Sequence, residues 1–268
     1  MKQVLADLAL ARRLELTEGH GNAAFVDAQA RLDPSASPLW TNIGGTFAMF
    51  AGVGSPITQT FGLGMHQPLV EKELDAIERF FTSRGSAVFH EVCPLAGVEV
   101  LQALAARGYR PIELSSVLYQ PIDANTSIAA NPDLHVRQVE RHESELYATI
   151  ASRGWSEHPE AMPYIKGFAK LSLVCASCFV AEKDGRPIAT AALFMHGGVA
   201  LLAGASTVPE GRRQGAQNAL LDARLRTAAS AGCDLAMMVA APGSASQRNA
   251  ERQGFRIAYT RTKWQRDA

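Results

Sequence analysis

The hydrophobic pattern changes period repeatedly along the chain. Some segments place apolar residues three or four positions apart, which is typical of amphipathic helices, and others are short apolar runs typical of strands. The predicted helices are residues 4–16, 23–32, 70–83, 98–106, 140–152, 215–231 and 244–253. The predicted strands are residues 46–52, 87–92, 112–119, 134–138, 178–182, 187–195, 199–208, 235–239 and 255–265. This mixture predicts an α/β fold with a mixed sheet of the α+β kind.

Turn-forming residues punctuate the pattern. His20-Gly21-Asn22 separates the first two predicted helices, and Asp184-Gly185 is a strong hairpin signal. The stretch from Pro121 to Pro132 is rich in turn formers and lacks apolar periodicity, so it is predicted to be a linker.

The two halves of the chain resemble each other in order. Gly44-Gly45 and a following apolar strand are echoed by Gly197-Gly198 and the strand after it. A helix, then Gly108-Tyr109 and a strand, are echoed by a helix, then Gly254-Phe255 and a strand. A period of this length indicates a duplicated domain. We therefore predict one domain over residues 1–122, a linker over 123–134 and a second domain over 135–268.

Charge separates the halves although the formal net charge of the 268 residues is zero. Residues 1–134 hold 9 Lys/Arg and 14 Asp/Glu, a balance of −5, and residues 135–268 hold 17 and 12, a balance of +5. The second half is the expected home of an anion, but the excess is too small to indicate nucleic acid. Four cysteines give no disulfide framework, and no signal peptide or membrane span is apparent, so a cytoplasmic protein is expected.

The clearest chemical motif joins a predicted strand to a predicted helix at Val208–Gln217, V-P-E-G-R-R-Q-G-A-Q. A helix N-terminus presents unpaired N–H groups and partial positive charge. Gly215 permits close approach of a phosphate, and Arg212 and Arg213 add charge-assisted hydrogen bonds. We call residues Arg212–Gln217 the cradle and predict that it binds a pyrophosphate.

This segment resembles the coenzyme A-binding motif of the GNAT superfamily of N-acetyltransferases, Gln/Arg-x-x-Gly-x-Gly/Ala. Arg212 and Gly215 fit it, whereas Gln217 stands where Gly or Ala is usual. The run Gln247–Phe255 resembles the second motif of the family, a short helix ending in Gly-Phe. The first half resembles the same fold more loosely, so the resemblance implies two tandem GNAT-like domains with a degenerate N-terminal copy.

The resemblance implies a cosubstrate, acetyl-CoA, and no metal. The pantetheine arm would lie between the strand around Ala205–Val208 and its neighbour Leu235–Val239, and an amine would attack the thioester directly. The cofactor-binding residues implied are Ser206, Thr207, Val208, Arg212, Arg213, Gln214, Gly215, Ala216, Gln217 and Asn249.

Catalytic residues are harder to assign. Relatives often carry a Tyr four residues before the Gly of Gly-Phe as a general acid, and here that residue is Ala250. Ser246 and Tyr259 are the candidate substitutes, although an aromatic residue on a strand, such as Tyr259, more often packs in a core.

Acceptor and base candidates lie elsewhere in the second half. Trp155 and His158 could line the acceptor pocket, with a core anchor as the alternative for Trp155. Glu157, His158 and Glu182 could serve as bases, although each residue type is more often a plain surface group.

Two further motifs are discounted. Cys175–Cys178 is a C-x-x-C, but a zinc site needs a second pair of ligands. Gln59–Gly64 fits the coenzyme A motif in the first half, but no Arg or Lys is close in sequence and Pro68 delays the helix. We therefore predict that the first half has lost cofactor binding.

Three functional hypotheses follow. The first is an N-acetyltransferase acting on a small-molecule or peptide amine, as a monomer or homodimer, with no nucleic acid or membrane partner. The second is a non-catalytic module that binds or senses acyl-CoA or a small ligand. The third is a nucleotide-binding protein of another fold, for which ATP or NAD would compete with coenzyme A.

Overall fold

The computed structural model describes residues 4–157 and 162–268, which form seven α-helices and eleven strands. The helices are α1 Leu8–Leu32, α2 Glu71–Thr82, α3 Val98–Ala106, α4 Ser144–Gly154, α5 Met162–Cys175, α6 Ala216–Ser230 and α7 Ala245–Arg252. The strands are β1 Leu39–Ile43, β2 Thr46–Phe50, β3 Gln59–Phe61, β4 Val88–Val92, β5 Arg110–Pro121, β6 Leu134–Gln138, β7 Ser177–Lys183, β8 Arg186–His196, β9 Val199–Thr207, β10 Leu235–Ala240 and β11 Arg256–Arg266. The predicted mixed α/β class is confirmed.

The chain forms two compact units, and the first is built from residues up to Gln120 together with residues from Val239 onward. Its strands follow the order β1-β2-β3-β4-β11-β5, with only the β3–β4 pair parallel. Helix α1 covers one face of this sheet, where Val26 packs with Met49 and Phe61. Helices α2 and α3 bury Ile77 and Leu104 in a separate core.

Helix α1 corrects the prediction of two short helices. It is continuous from Leu8 to Leu32 and passes through Gly19 and Gly21. A side chain at Gly19 would stand 2.8 Å from the ring of Phe47, so this glycine allows close packing of α1 on β2. The burial of the helix against the sheet outweighs the helix-breaking tendency of glycine, about 1 kcal/mol each.

The second unit spans Pro121–Met238 and orders its strands β10-β9-β8-β7-β6. The β9–β10 pair is parallel and the others are antiparallel. Tyr147 and Ala151 of α4 pack with Leu173 of α5 and Val180 of β7 in one core. Helix α5 is absent from the predicted helices, and it forms because its apolar residues cover this core.

The boundaries of the compact units differ from those of the sequence repeat, because residues 239–268 associate with the first unit. The domain limits read from the repeat stay a prediction about sequence duplication. No helix in the part of the chain that the structure describes is long and apolar enough to cross a membrane.

Candidate functional site

The second unit contains a gap between two parallel strands. Strands β9 and β10 pair only from Val199 to Leu201, opposite Leu235 to Met237, and the ladder then ends. Strand β9 continues to Thr207, so its later residues have no β10 ladder partner. Such a strand edge can pair with an extended ligand through its backbone.

An irregularity in β9 adjoins the start of this gap. Thr190 of β8 faces Ser206 and Ala192 faces Ala203, so one residue of β8 stands opposite two of β9. Gly204, within the irregular stretch, has φ +60°, and the backbone is exposed there. This is a β-bulge, which turns backbone groups out of the ladder.

The cradle follows β9 through a 3-10 turn at Pro209–Gly211 and ends on α6. Gly215 is the N-cap of α6 with φ +87°, a conformation that favours glycine, and no side chain caps the helix. The first turn of α6 also contains no acidic residue. This N-terminus therefore has the electrostatic character of an anion site.

Asn131 supports the cradle and was not found by sequence analysis. Its amide donates to the backbone oxygen of Gln214 at 3.0 Å, and a side chain on Gly215 would stand 3.2 Å from Asn131 Cβ. No local sequence signal distinguishes this asparagine from the other turn formers between Pro121 and Pro132. The predicted linker is therefore a structural part of the site.

The two cradle arginines differ in their surroundings. The guanidinium of Arg212 forms a 2.7 Å ion pair with Glu157, and about a third of its side chain is exposed. Arg213 is exposed and has φ +61°, an uncommon backbone conformation for a residue with a side chain. Strained backbone of this kind concentrates at ligand sites.

The unusual Gln217 is accommodated by a hydrogen bond. Its amide donates to the Thr207 hydroxyl at 2.7 Å, so it links the first turn of α6 to the end of β9. Ser206 is buried and bonds Thr190 at 3.1 Å, and Val208 is buried with its N–H bonded to Ile188. The structure thus brings together the predicted cofactor residues from Ser206 to Gln217.

The second predicted motif lies on α7 in the first unit. Asn249 is exposed and its side-chain oxygen accepts a 2.8 Å hydrogen bond from Arg252. Ser246 is also exposed. Ala250, which replaces the expected Tyr, is buried in the core. Asn249 and Ser246 stay predicted site residues.

Tyr259 lies in a buried charge cluster of the first unit. Its hydroxyl donates to Glu15 at 2.7 Å, and burial raises its pKa well above the ordinary value. Arg261, almost fully buried, lies within 3.3 Å of carboxylates of Glu15, Glu18 and Glu91. The geometry is that of a core tyrosine, and a catalytic role for Tyr259 stays a prediction.

The candidate acceptor and base residues differ in their burial and in their partners. Trp155 is half-buried at the end of α4, and Glu157 pairs with Arg212. Glu182 is held by Arg137 at 2.9 Å. His158 lies outside the described residues.

The discounted cysteine pair forms no disulfide, and burial raises the pKa of Cys175 to about 11 and of Cys178 to about 12. A thiol of this kind is a poor nucleophile and metal ligand at neutral pH. No cluster of three or more potential metal ligands occurs among residues 4–157 and 162–268.

The corresponding loop of the first unit, Gln59–Gly64, is filled by its own core. Leu63 and Met65 are each 1% exposed, and a side chain on Gly64 would stand 2.6 Å from Val100. Helix α2 begins only at Glu71 and has two acidic residues in its first turn. One basic residue does approach from α1, because Arg12 donates to the Met65 carbonyl at 2.6 Å.

Comparison with known proteins agrees with this geometry. Residues 140–255 match the model of the Acetyltransferase (GNAT) family. This region, which is a little under half of the chain, is therefore similar to a GNAT acetyltransferase domain. A comparison with curated protein sequences finds no match.

Solved structures extend the likeness to the whole chain. A GCN5-related N-acetyltransferase from Kribbella flavida shares 19% identity over 91% of this chain and 96% of its own, with a TM-score of 0.62. A tandem GNAT protein from the clavulanic acid biosynthesis pathway shares 13% identity over 98% and 97%, with a TM-score of 0.59. At these identities the likeness shows the fold, and that fold is the tandem GNAT arrangement implied by the family resemblance together with the sequence repeat.

Proposed function

We propose that the second unit binds acetyl-coenzyme A and that the protein transfers its acetyl group to a primary amine. The observation that carries this proposal is the gap beside β9, which leads into a helix N-terminus that no side chain caps. The gap accepts an extended arm and the cradle accepts an anion, which are the two chemical parts of coenzyme A.

The proposal assigns binding roles to residues of the cradle. Gly215 and Ala216 would offer backbone N–H groups to the pyrophosphate, with Arg212 and Arg213 adding charge. For Arg212, the phosphate would displace Glu157, a solvent-exposed partner that contributes little stability. Asn249 is retained in the proposal on family resemblance alone.

The chemical step needs few protein groups. The amine nitrogen attacks the thioester carbon, the nitrogen–carbon bond forms and the carbon–sulfur bond breaks. Sulfur keeps the electron pair and leaves as a thiolate, and the amine releases its proton to water or to a base. The bulge at Gly204 offers backbone that can orient the carbonyl, and positioning of this kind supplies much of the barrier reduction in enzymes.

A second candidate function is a non-catalytic acyl-CoA-binding module. Two observations favour it: Ala250 is a buried residue where relatives carry an acid, and residues Gly204–Thr207 contain no carboxylate. The two functions share a ligand and differ in whether the ligand reacts.

Isothermal titration of acetyl-CoA, with ATP and NAD as controls, tests the shared part. We expect binding at one site per chain and no competition by ATP or NAD. Thiol release from acetyl-CoA in the presence of a panel of amines, amino acids and peptides then separates the two functions. Absence of acetyl-CoA binding in the folded protein would contradict both, and binding without thiol release across the panel would favour the module.

A further inference from the structure

Arg224 is a charged residue in the buried stripe of α6. Its neighbours on that stripe are small or apolar, including Leu220, Leu225 and Ala228. The residue is 4% exposed, although arginine is almost never buried without a charged partner. The same helix carries the cradle at its N-terminus.

The guanidinium of Arg224 is bonded to backbone oxygens. Nε donates to the carbonyl of Leu220 at 3.1 Å, and a terminal nitrogen donates to the carbonyl of Ala192 at 3.3 Å. Within the described residues, no carboxylate lies within 4.0 Å of it. Burying a cation without an anion costs free energy, and a negative charge close to the guanidinium would reduce that cost.

The titratable groups near Arg224 do not provide that charge. Tyr147 of α4 is the group that interacts with it electrostatically, and Tyr147 in turn bonds Cys178 of β7. Burial raises the pKa of the tyrosine well above its ordinary value and that of the thiol to about 12, so both are neutral at pH 7. Burial lowers the pKa of Arg224 only to about 10, so it remains charged. On α6 itself, Asp222 pairs with the exposed Arg226.

The contact with Ala192 places this charge beside the bulge of β9, on the β8 side of that strand, where a side chain on Gly204 would stand 3.7 Å from Ala192 Cβ. Ala192 faces Ala203, and the bulge of β9 begins with the next residue, Gly204. The proposed thioester position lies beside this bulge. A charge in a poorly solvated interior acts over a longer range than one in water.

We infer that Arg224 is a positioning residue that directs a buried positive charge at the sulfur end of bound coenzyme A. The inference rests on the proposed function, since it needs the cofactor in the gap. When the carbon–sulfur bond breaks and sulfur keeps the electron pair, this charge stabilises the thiolate. The cofactor's negative charge in turn provides the anion that Arg224 lacks among the described residues.

A charge near sulfur has a signature that a purely structural arginine lacks. It favours the thiolate of bound coenzyme A, whose free thiol, taken to resemble that of cysteine, has a pKa of about 8.5. Coenzyme A should therefore bind progressively more tightly as the pH rises towards that value. Acetyl-CoA has no ionisable thiol but shares the rest of the molecule with coenzyme A. Effects of pH on the shared parts therefore cancel in the ratio of the two affinities, and the effect on the thiol remains.

The experiment is titration calorimetry of both ligands at several pH values between about 6.5 and 8.5. In the unaltered protein we expect the ratio to rise by about tenfold over this range. In Arg224→Met we expect it to stay flat, with an unchanged or higher melting temperature because an unpaired buried charge is removed. Arg224→Lys should keep the rise, and Arg226→Met, a loss of an exposed charge on the same helix, should match the unaltered protein.

The possible outcomes distinguish failure of the proposed function from failure of the inference about Arg224. If the unaltered protein binds neither ligand, the proposed function fails and this inference fails with it. If it binds both but the ratio is flat, or if Arg224→Met keeps the rise, the proposed function stands and Arg224 does not act on sulfur. If Arg224→Met does not fold, Arg224→Gln gives the same test, and loss of folding in both variants would assign Arg224 to structure and overturn the inference.

Discussion

The two units use their positive charges in opposite ways. In the first unit Arg261 is buried among three carboxylates, which belong to Glu15, Glu18 and Glu91. In the second unit the buried Arg224 has no carboxylate partner among the described residues, and Arg213 is exposed at a helix N-terminus. The buried arginine of the first unit therefore has carboxylate partners within its own unit, whereas the second unit has cationic groups suited to an anionic ligand.

The loops after the parallel strands show the same contrast. Leu63 and Met65 fill the loop of the first unit, whereas Gly215 and Arg213 leave the cradle of the second unit accessible at the surface. A glycine pattern is present in both sequences. The contrast teaches that a glycine motif predicts an anion site only where the following helix begins at once and positive charge accompanies it.

The largest expected effect separates the buried arginines. Arg261→Met should destabilise the protein by about 3–5 kcal/mol, because it removes the guanidinium beside Glu15 and Glu18 and leaves Glu91 with Lys263 at 3.7 Å. Arg224→Met should leave the free energy of unfolding unchanged or raise it. Denaturant unfolding monitored by circular dichroism measures both, and an equal loss in the two variants would remove the contrast between the units.

A second effect concerns ligand affinity. Arg213→Glu should weaken acetyl-CoA binding by about 2 kcal/mol or more, since it removes a charge-assisted phosphate contact and adds repulsion. Arg12→Glu, which makes the same charge change beside the loop of the first unit, should leave the affinity as it is. Titration calorimetry measures the acetyl-CoA affinity of both variants. Unchanged affinity in a folded Arg213→Glu variant would mean that the cradle is misassigned.

The glycines of the two loops provide a third test. Gly215→Ala puts a side chain where φ is +87° and should cost about 1–2 kcal/mol, part of it in acetyl-CoA affinity. Gly64→Ala would meet Val100 and should lower the melting temperature without changing the affinity of the folded protein. Reduced affinity in both variants would indicate that the first unit contributes to ligand binding.

The smallest effect tests competition for Arg212. Glu157→Gln should strengthen acetyl-CoA binding by less than about 1 kcal/mol, because an exposed ion pair no longer has to break. Glu210→Gln is the control, since Glu210 pairs with Arg153 instead of a cradle arginine. An equal gain in both variants would point to overall charge and not to competition.

Much of this fold could be predicted because its elements carry clear local signals. The hairpin at Asp184-Gly185 has positive φ at both residues, as its sequence predicts, and α3 begins and ends at the predicted residues. Local sequence signals were misleading for helices whose formation depends on tertiary contacts. The break predicted at His20-Gly21-Asn22 is absent, and the neighbouring Gly19 provides room for Phe47. Helix α5 depends on a core that no local pattern reveals.

The candidate site divides in the same way. Arg212 to Gln217 could be found because a strand, a glycine and a helix follow one another along the chain. Asn131 and Arg224 could not, since their contacts with Gln214 and Ala192 join distant parts of the sequence. A hydrogen bond between side chain and backbone leaves no spacing rule for a single sequence to display.

Because the first unit is formed from two separate segments of the chain, it cannot be completed early in synthesis. Strand β11 lies between β4 and β5, but it is translated after the entire second unit. At typical elongation rates this delay is on the order of ten seconds. During that interval the carboxylates of Glu15, Glu18 and Glu91 have been synthesised without the guanidinium that lies among them. We expect the nascent first unit to remain incompletely closed until Arg261 emerges, so that the unit encoded first is the last to finish folding.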